Sequence, residues 1–349
     1  MEEVLLKDFK SIADSDLPWE EYRDSSFLIT GATGLIGSLL VRTLLYCSQV
    51  HGLNLKIYAV VRSVEKAKGI LGEDAEVSYV LADLAKDELV LEDSLDYVIH
   101  AAAVTTSKLM VSEPVGTICT AVDGTKKLLA LAAEKKAKAF VYLSSMEVYG
   151  QPKTEGKTAE QDLGYVDLTA VRSCYPEGKR MCECLCTAYA AQYGLNVKSA
   201  RLAQTFGAGI LPAENRVFAQ FARSAARGEN IVLHTTGESE GNYVYTADAV
   251  RAILLLLVRG ASGEAYNIAN EESHVTIRGM AELVASEIAD NKISVVIDIP
   301  DDSASLGYAP PVRMWLDASK MRALGWMPEV SLTDSYKRMM QYMDETGLL

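Results

Sequence analysis

Four side chains have the types and spacing of an acid–base centre. Tyr175 and Lys179 stand four apart in Tyr175-Pro176-Glu177-Gly178-Lys179. On a helix, residues at that separation share a face. An ammonium beside a phenol favours the phenolate, the more so with a second positive charge near the ring. A tyrosine so tuned can take a proton from a hydroxyl while hydride leaves the same carbon. Upstream lies Leu143-Ser144-Ser145-Met146-Glu147-Val148-Tyr149-Gly150, in which Ser145 could hydrogen-bond that hydroxyl. Glu147 adds a carboxylate for a further proton transfer. The plainer readings are a solvated loop carboxylate for Glu147 and simple packing for Met146.

Such a centre needs a hydride acceptor, and the sequence offers a place for one. The apolar run Phe27-Leu28-Ile29 reads as a buried strand. It ends in Thr30-Gly31-Ala32-Thr33-Gly34-Leu35-Ile36-Gly37, and a helical pattern follows through Leu39, Leu40, Leu44 and Leu45. Strand, glycine turn and helix form the setting of a dinucleotide fingerprint. Gly31 allows the turn, Gly34 lets the backbone approach a pyrophosphate, and Gly37 lets the helix pack on the strand. The helix N-terminus presents N–H groups to the phosphates.

Further β-rich runs follow at Leu55 to Val61, Val77 to Leu81, Tyr97 to His100 and Phe140 to Leu143, with a helix over Gly124 to Lys135 between the last two. Alternation of this kind predicts an α/β fold, a Rossmann doubly wound parallel sheet, and a chain of this length has room for a smaller C-terminal substrate-binding lobe as well. Ligands then bind at the carboxyl ends of the strands. Residues 1–25 read as an N-terminal extension, a helix packed on the surface. Residues 26–205, with about 242–270, read as the NAD(P)-binding Rossmann domain. Residues 206–241 and 271–349 read as the substrate-binding lobe.

Composition bounds the class. A chain of 349 residues, 49% hydrophobic and 23% charged, can bury a large core without disulfides or metals. A net charge of −13 weighs against nucleic acid or an anionic membrane as partner. Met1 to Ala13 lacks the apolar stretch of a signal peptide, and Ala252 to Val258 is too short to span a bilayer. The expectation is a cytoplasmic protein with six reduced cysteines. Of Cys182, Cys184 and Cys186, only the first and last share a helix side, and no metal site is expected there.

Three motifs together resemble one family. They are the Thr30–Gly37 turn, the Ser144–Gly150 strand end and Tyr175-x-x-x-Lys179. These resemble the extended short-chain dehydrogenases that modify nucleotide sugars. The resemblance continues through Asp83-Leu84, His100-Ala101-Ala102-Ala103, Arg201 to Gly207, Tyr243 to Asp248, Leu316 to Lys320 and Leu324-Gly325-Trp326. It covers roughly Phe27 to Met340 and is specific to the superfamily rather than to one reaction.

The resemblance implies cofactor contacts at Gly31, Thr33, Gly34, Leu35, Ile36, Gly37, Arg62, Asp83, Leu84, Ala101, Ala102, Ala103, Ser144, Tyr175 and Lys179. It implies oxidation of a sugar at C4 to a 4-keto intermediate. Tyr175 is then the base, Lys179 its electrostatic partner, Ser145 the hydroxyl donor and Glu147 the handler of the C5 proton. In 4,6-dehydratases an Asp-Glu pair stands here, and Met146 occupies the place of the acid. A thioether cannot donate a proton, so dehydration is disfavoured. UDP-glucuronate decarboxylases keep the glutamate beside a non-acidic residue, and a β-keto acid loses carbon dioxide without a strong acid. Simple 4-epimerases usually lack the glutamate. Decarboxylation therefore stands ahead of epimerisation and dehydration.

Two departures concern the substrate. Relatives place diphosphate-clamping arginines where this chain has Gly241 and Gly307. An arginine fork is hard to replace with neutral groups. Arg216 and Arg313 could compensate, with Gln204 and Asn215 as further substrate contacts. Arg172, Arg180 and Arg201 are other candidates for a substrate anion, although surface pairing suits Arg180 better. Otherwise the substrate is not a standard nucleotide sugar.

The second strand ends Val60-Val61-Arg62-Ser63, without the acid that NAD-preferring proteins place there. Arg62 could accept the extra phosphate of NADP or lie on the adenine. Resemblance to enzymes that recycle a bound cofactor selects NAD, with NADP as the alternative. It also implies a homodimer through Thr117 to Ala133 and Pro176 to Tyr193. A reading from another class is a Rossmann-fold binding or sensor protein without turnover. Intact Ser145, Tyr175 and Lys179 argue against that reading, and the missing arginines argue for it.

Overall fold

The computed structural model describes residues 2–299 and 312–349. Apolar runs between turn signals form strands β1 (Ser26–Thr30), β2 (Lys56–Val61), β3 (Val77–Leu81), β4 (Tyr97–His100), β5 (Ala139–Ser145) and β6 (Val197–Leu202). Then come β7 (Gln204–Phe206), β8 (Ile231–Leu233), β9 (Glu240–Tyr245), β10 (Ala265–Ile268), β11 (Asn270–Thr276) and β12 (Val295–Ile297). The helices are α1 (Glu3–Ala13), α2 (Leu35–His51), α3 (Val64–Leu71), α4 (Ser107–Ser112), α5 (Pro114–Glu134) and α6 (Cys174–Tyr193). They continue with α7 (Val217–Arg227), α8 (Thr246–Arg259), α9 (Ile277–Leu283), α10 (Ser319–Ala323) and α11 (Leu332–Glu345).

Seven strands form one parallel sheet in the order β3-β2-β1-β4-β5-β6-β10. Every residue of β1 and β4 is buried, as expected of strands covered on both faces. The direction of winding reverses between β1 and β4, where Thr30 lies opposite His100. The carboxyl ends of those two strands therefore open a crevice suited to a ligand. Helix α8 is apolar almost all round because it is buried beneath this sheet beside α2.

A smaller three-stranded sheet, β11-β9-β7, stands beyond β6 and continues the path toward the C-terminal helices. Strands β8 and β12 pair separately. Phe206, Phe218, Tyr243, Tyr336 and Met339 fill a second core between these strands and α7 and α11. Among the described residues no helix is long and apolar enough to cross a membrane.

Helix α1 packs on the body of the domain, burying Val4, Leu5, Phe9 and Ile12 against α2, α8 and α11. Their spacing follows the helical period, so one face is wholly apolar but for Asp8. Asp8 accepts hydrogen bonds from Tyr245 Oη at 2.5 Å and Arg338 Nη1 at 2.8 Å. Burial pushes its carboxyl up from the usual range, against those two donors. A carboxylate is retained in a core only with such partners.

Candidate active site

Strand β1 runs directly into the glycine turn. Gly31 has φ of +64°, and a Cβ there would meet Ala102 N at 2.8 Å. A Cβ on Gly37 would lie 2.1 Å from the Gly31 carbonyl oxygen, so α2 can start this close to β1 only with glycine. Gly34 caps α2 without a side-chain hydrogen bond. The first-turn N–H groups thus meet no capping side chain, which is the donor set a diphosphate requires. Thr33, Leu35 and Ile36 are half-buried along the turn, Ala101 and Ala102 face it from the end of β4, and the half-buried Ala103 follows them. Arg62 is exposed just past β2, and Asp83-Leu84 follows β3, where the Asp83 carboxylate accepts from Ala85 N at 3.1 Å.

A buried line of hydrogen bonds fixes the strand ends. Ala102 N–H donates to Thr30 Oγ1 at 3.1 Å, and that hydroxyl meets His100 Nδ1 at 2.7 Å. His100 Nε2 meets Thr125 Oγ1 at 3.1 Å, Thr125 donates to Cys182 Sγ at 3.2 Å, and Cys182 donates to the Ala121 carbonyl at 3.3 Å. Thr125 spends its hydrogen on sulfur, so His100 carries its proton on Nε2 and accepts from Thr30 at Nδ1. Burial, with the Lys179 charge, holds the His100 pKa down at about 3, so the ring stays neutral.

Helix α6 brings Tyr175 and Lys179 to the end of β5. Lys179 is 4% exposed; its Nζ donates to the Leu143 carbonyl at 2.7 Å. The ammonium lies 4.7 Å from the Tyr142 ring centre and 5.8 Å from that of Tyr175. Burial lowers its pKa to about 8. An ammonium has three donors, and the described residues give this one a single acceptor, which leaves donors for a bound ribose. Burial, then the Glu147 carboxylate, pushes the Tyr175 phenol up to about 12. The Ser145 hydroxyl, Arg172 and Arg216 pull the other way. Lys179 spends its charge on Leu143 and Tyr142, so ionising Tyr175 calls for the additional positive charge of an oxidised cofactor.

Glu147 sits in the short turn Met146–Tyr149, and its backbone N–H donates to the capping Ser145 Oγ at 3.2 Å. Arg172 grips its carboxylate twice, Nη1 to Oε2 at 2.6 Å and Nη2 to Oε1 at 2.9 Å. Arg172 was a candidate for a substrate anion, and here its fork is filled by Glu147. Met146 points at Gly241, where a Cβ would lie 3.9 Å from its methyl carbon. The two unusual residues are therefore neighbours, and the thioether borders the space beside the missing arginine. Gly307 lies outside the described residues.

Behind β5 the structure corrects another expectation. Arg201 is 5% exposed and cannot meet a substrate anion. It grips Glu183 through Nη2 at 2.7 Å and Nε at 3.0 Å, and Nη1 donates to Tyr149 Oη at 3.0 Å and the Glu160 carbonyl at 2.6 Å. The Ser144 hydroxyl, expected beside the cofactor, donates to Glu183 Oε1 at 2.5 Å. The sequence reading passed over Glu183. Its signal was available, since Tyr175, Lys179 and Glu183 recur at intervals of four along one helix face. Arg180 pairs with Glu177 at 3.0 Å and donates to the Val148 and Gly164 carbonyls, each at 2.7 Å.

The remaining substrate candidates lie on the lobe side. Arg216 is paired with Glu214 at 2.6 and 2.9 Å, near enough for its charge to act on Tyr175. Asn215 is exposed, and its carbonyl accepts from Gln220 Nε2 at 2.7 Å. Gln204 opens β7 opposite Tyr243, and Arg313 is exposed beside Glu240. Cys182 and Cys186 are buried and Cys184 is exposed, as the helical spacing predicts. Among the described residues no group of His, Cys, Asp or Glu could hold a metal ion.

Comparison with known proteins adds an independent line. The sequence model of the NAD dependent epimerase/dehydratase family matches residues 27–269. UDP-glucuronic acid decarboxylase 6 of Arabidopsis thaliana is 31% identical over 309 residues, 88% of this chain and 85% of that protein. UDP-glucuronic acid decarboxylase 1 of Danio rerio is 31% identical over 250 residues, 71% of this chain and 57% of that protein. Among solved structures, UDP-glucuronic acid 4-epimerase of Bacillus cereus, in complex with UDP-glucuronic acid and NAD, superposes with a TM-score of 0.75. That match covers 92% of this chain and 99% of the other at 20% identity, and it shows the shared fold.

Proposed function

The chain belongs to the NAD dependent epimerase/dehydratase family, and from that premise we propose that it is an NAD-dependent enzyme that decarboxylates a nucleotide-linked uronic acid. NAD, when bound, takes and returns a hydride at the sugar C4. Gly31, Gly34 and Gly37 would hold its diphosphate, and Lys179 its ribose. Tyr175 removes the proton of the C4 hydroxyl, Ser145 hydrogen-bonds the same oxygen, and Lys179 keeps a positive charge near the phenol. Glu147 handles the proton at C5 after carbon dioxide has left.

The observation that carries the choice of reaction is Met146, placed between Ser145 and Glu147 with its methyl against Gly241. It supplies no acid for expelling water, and a 4-keto uronic acid needs none to lose carbon dioxide. The decarboxylase relatives support the same choice. The test is incubation of the NAD-loaded protein with UDP-glucuronate, UDP-glucose and dTDP-glucose. The expected result is loss of a carbon dioxide mass from UDP-glucuronate alone. Loss of water from either glucose nucleotide would instead make the protein a dehydratase. Conversion of none would favour a non-nucleotide substrate or a sensor, the reading that Gly241 supports.

We further propose a homodimer built on α5 and α6. These helices pack on each other and leave Val115, Ile118, Met181 and Tyr193 exposed at 72%, 42%, 51% and 58%. Size-exclusion chromatography with light scattering should give twice the chain mass at micromolar protein, and a monomer there would refute the dimer. All six cysteines are free thiols, as a reducing cytoplasm would keep them.

A further inference from the structure

We propose that Arg172 is a positioning residue that holds Glu147 in a fixed orientation and lets Glu147 and Tyr175 bear negative charge side by side. The inference rests on the reading of Tyr175 as the base. Arg172 lies in the turn Val171–Ser173 that leads into α6, and Glu147 lies in the turn that follows β5. The two turns meet through the paired bonds of 2.6 and 2.9 Å. A planar guanidinium fixes a carboxylate in orientation as well as position, which a lysine cannot do.

The pair does little for folding. The two side chains are 43% and 30% exposed. Ion pairs of that exposure contribute little to stability. Its consequence is electrostatic. Among the described residues, the charged or ionisable groups around the Tyr175 phenol include Glu147, Arg172, Arg216, Lys179, Tyr142 and Cys174. Glu147 is the carboxylate that opposes ionisation of the phenol. Arg216 is neutralised by Glu214, and Lys179 is held on the Leu143 carbonyl. Arg172 is the cation bonded to the opposing carboxylate itself. In the proposed reaction Tyr175 must ionise to take the hydroxyl proton, and Glu147 stays beside it to direct a proton to C5 once carbon dioxide has left. Like charges so close oppose each other unless a cation stands with them.

The test titrates Tyr175 directly in the NAD-loaded protein. Tyrosine labelled with carbon-13 at the ring carbon bearing oxygen gives an NMR signal, identified by its absence in Tyr175→Phe. Arg172→Gln should raise the ionisation midpoint by about one pH unit, tenfold in the ionisation constant. Glu147→Gln should lower it, and the double variant should return it to the wild-type value or below. Arg172→Lys, with charge but no fork, should fall between wild type and Arg172→Gln. An unmoved midpoint in Arg172→Gln, or a double variant that keeps the raised midpoint, overturns the proposal. No sugar is needed for this titration. Conversion of UDP-glucuronate with unmoved midpoints would sink the role of Arg172 alone, and moved midpoints without any conversion would sink the reaction alone.

Discussion

Tyr175→Phe should lower turnover of UDP-glucuronate by about 10²- to 10⁴-fold, the span that one positioned acid–base group contributes. The substitution removes a single oxygen. The ring that lies 5.8 Å from the Lys179 ammonium remains, and so does the Lys179 bond to Leu143. Binding of NAD and sugar nucleotide should therefore change little, and the loss should fall on kcat rather than KM. Calorimetric titration with NAD provides the control. A variant that keeps full turnover would sink the assignment of Tyr175 as base, whatever the substrate proves to be.

The second large effect lies behind the site. Arg201→Met should destabilise the protein by about 3–5 kcal/mol, the cost of leaving one member of a buried ion pair without its partner. Glu183 would keep only the Ser144 hydroxyl at 2.5 Å, and Tyr149 and the Glu160 carbonyl would each lose a donor. Against a typical total of about 5–15 kcal/mol, the loss is severe. Urea denaturation reads it as a fall in the midpoint at constant slope. Glu183→Leu combined with Arg201→Met should recover most of the loss, because the stranded charge is gone. If the single variant unfolds at the wild-type midpoint, water reaches Glu183 and the pair is not the closed unit described above.

The contrast between these residues explains what the sequence could disclose. The glycine turn was readable because its chemistry is local: a strand, three glycines and a helix within a dozen residues. Tyr175 and Lys179 were readable because a helix fixes their relation through spacing alone. The alternation of strands and helices likewise announced the parallel sheet. Arg201 could not be read correctly, since its partner Glu183 comes from α6 and meets it only through the packing of that helix on β5 and β6. An arginine in an anonymous strand looks like a receptor for anions until its neighbours are known. The same holds for Arg172 and Glu147, which different turns bring together. Asp8 was hidden for another reason. One charge in an apolar stripe gives no hint of its partners, and Tyr245 and Arg338 lie 237 and 330 residues further along the chain.

The line from Ala102 through Thr30, His100 and Thr125 to Cys182 has a direction, because each member gives its hydrogen one way. Its first member borders the glycine turn, and its last lies on the helix that bears Tyr175 and Lys179. The grip on the cofactor and the aim of the base are thus geared together. A substitution that breaks this line, at Thr30 or Thr125, should therefore be felt at both the nucleotide cleft and the catalytic helix. The two halves of this enzyme should drift as a unit.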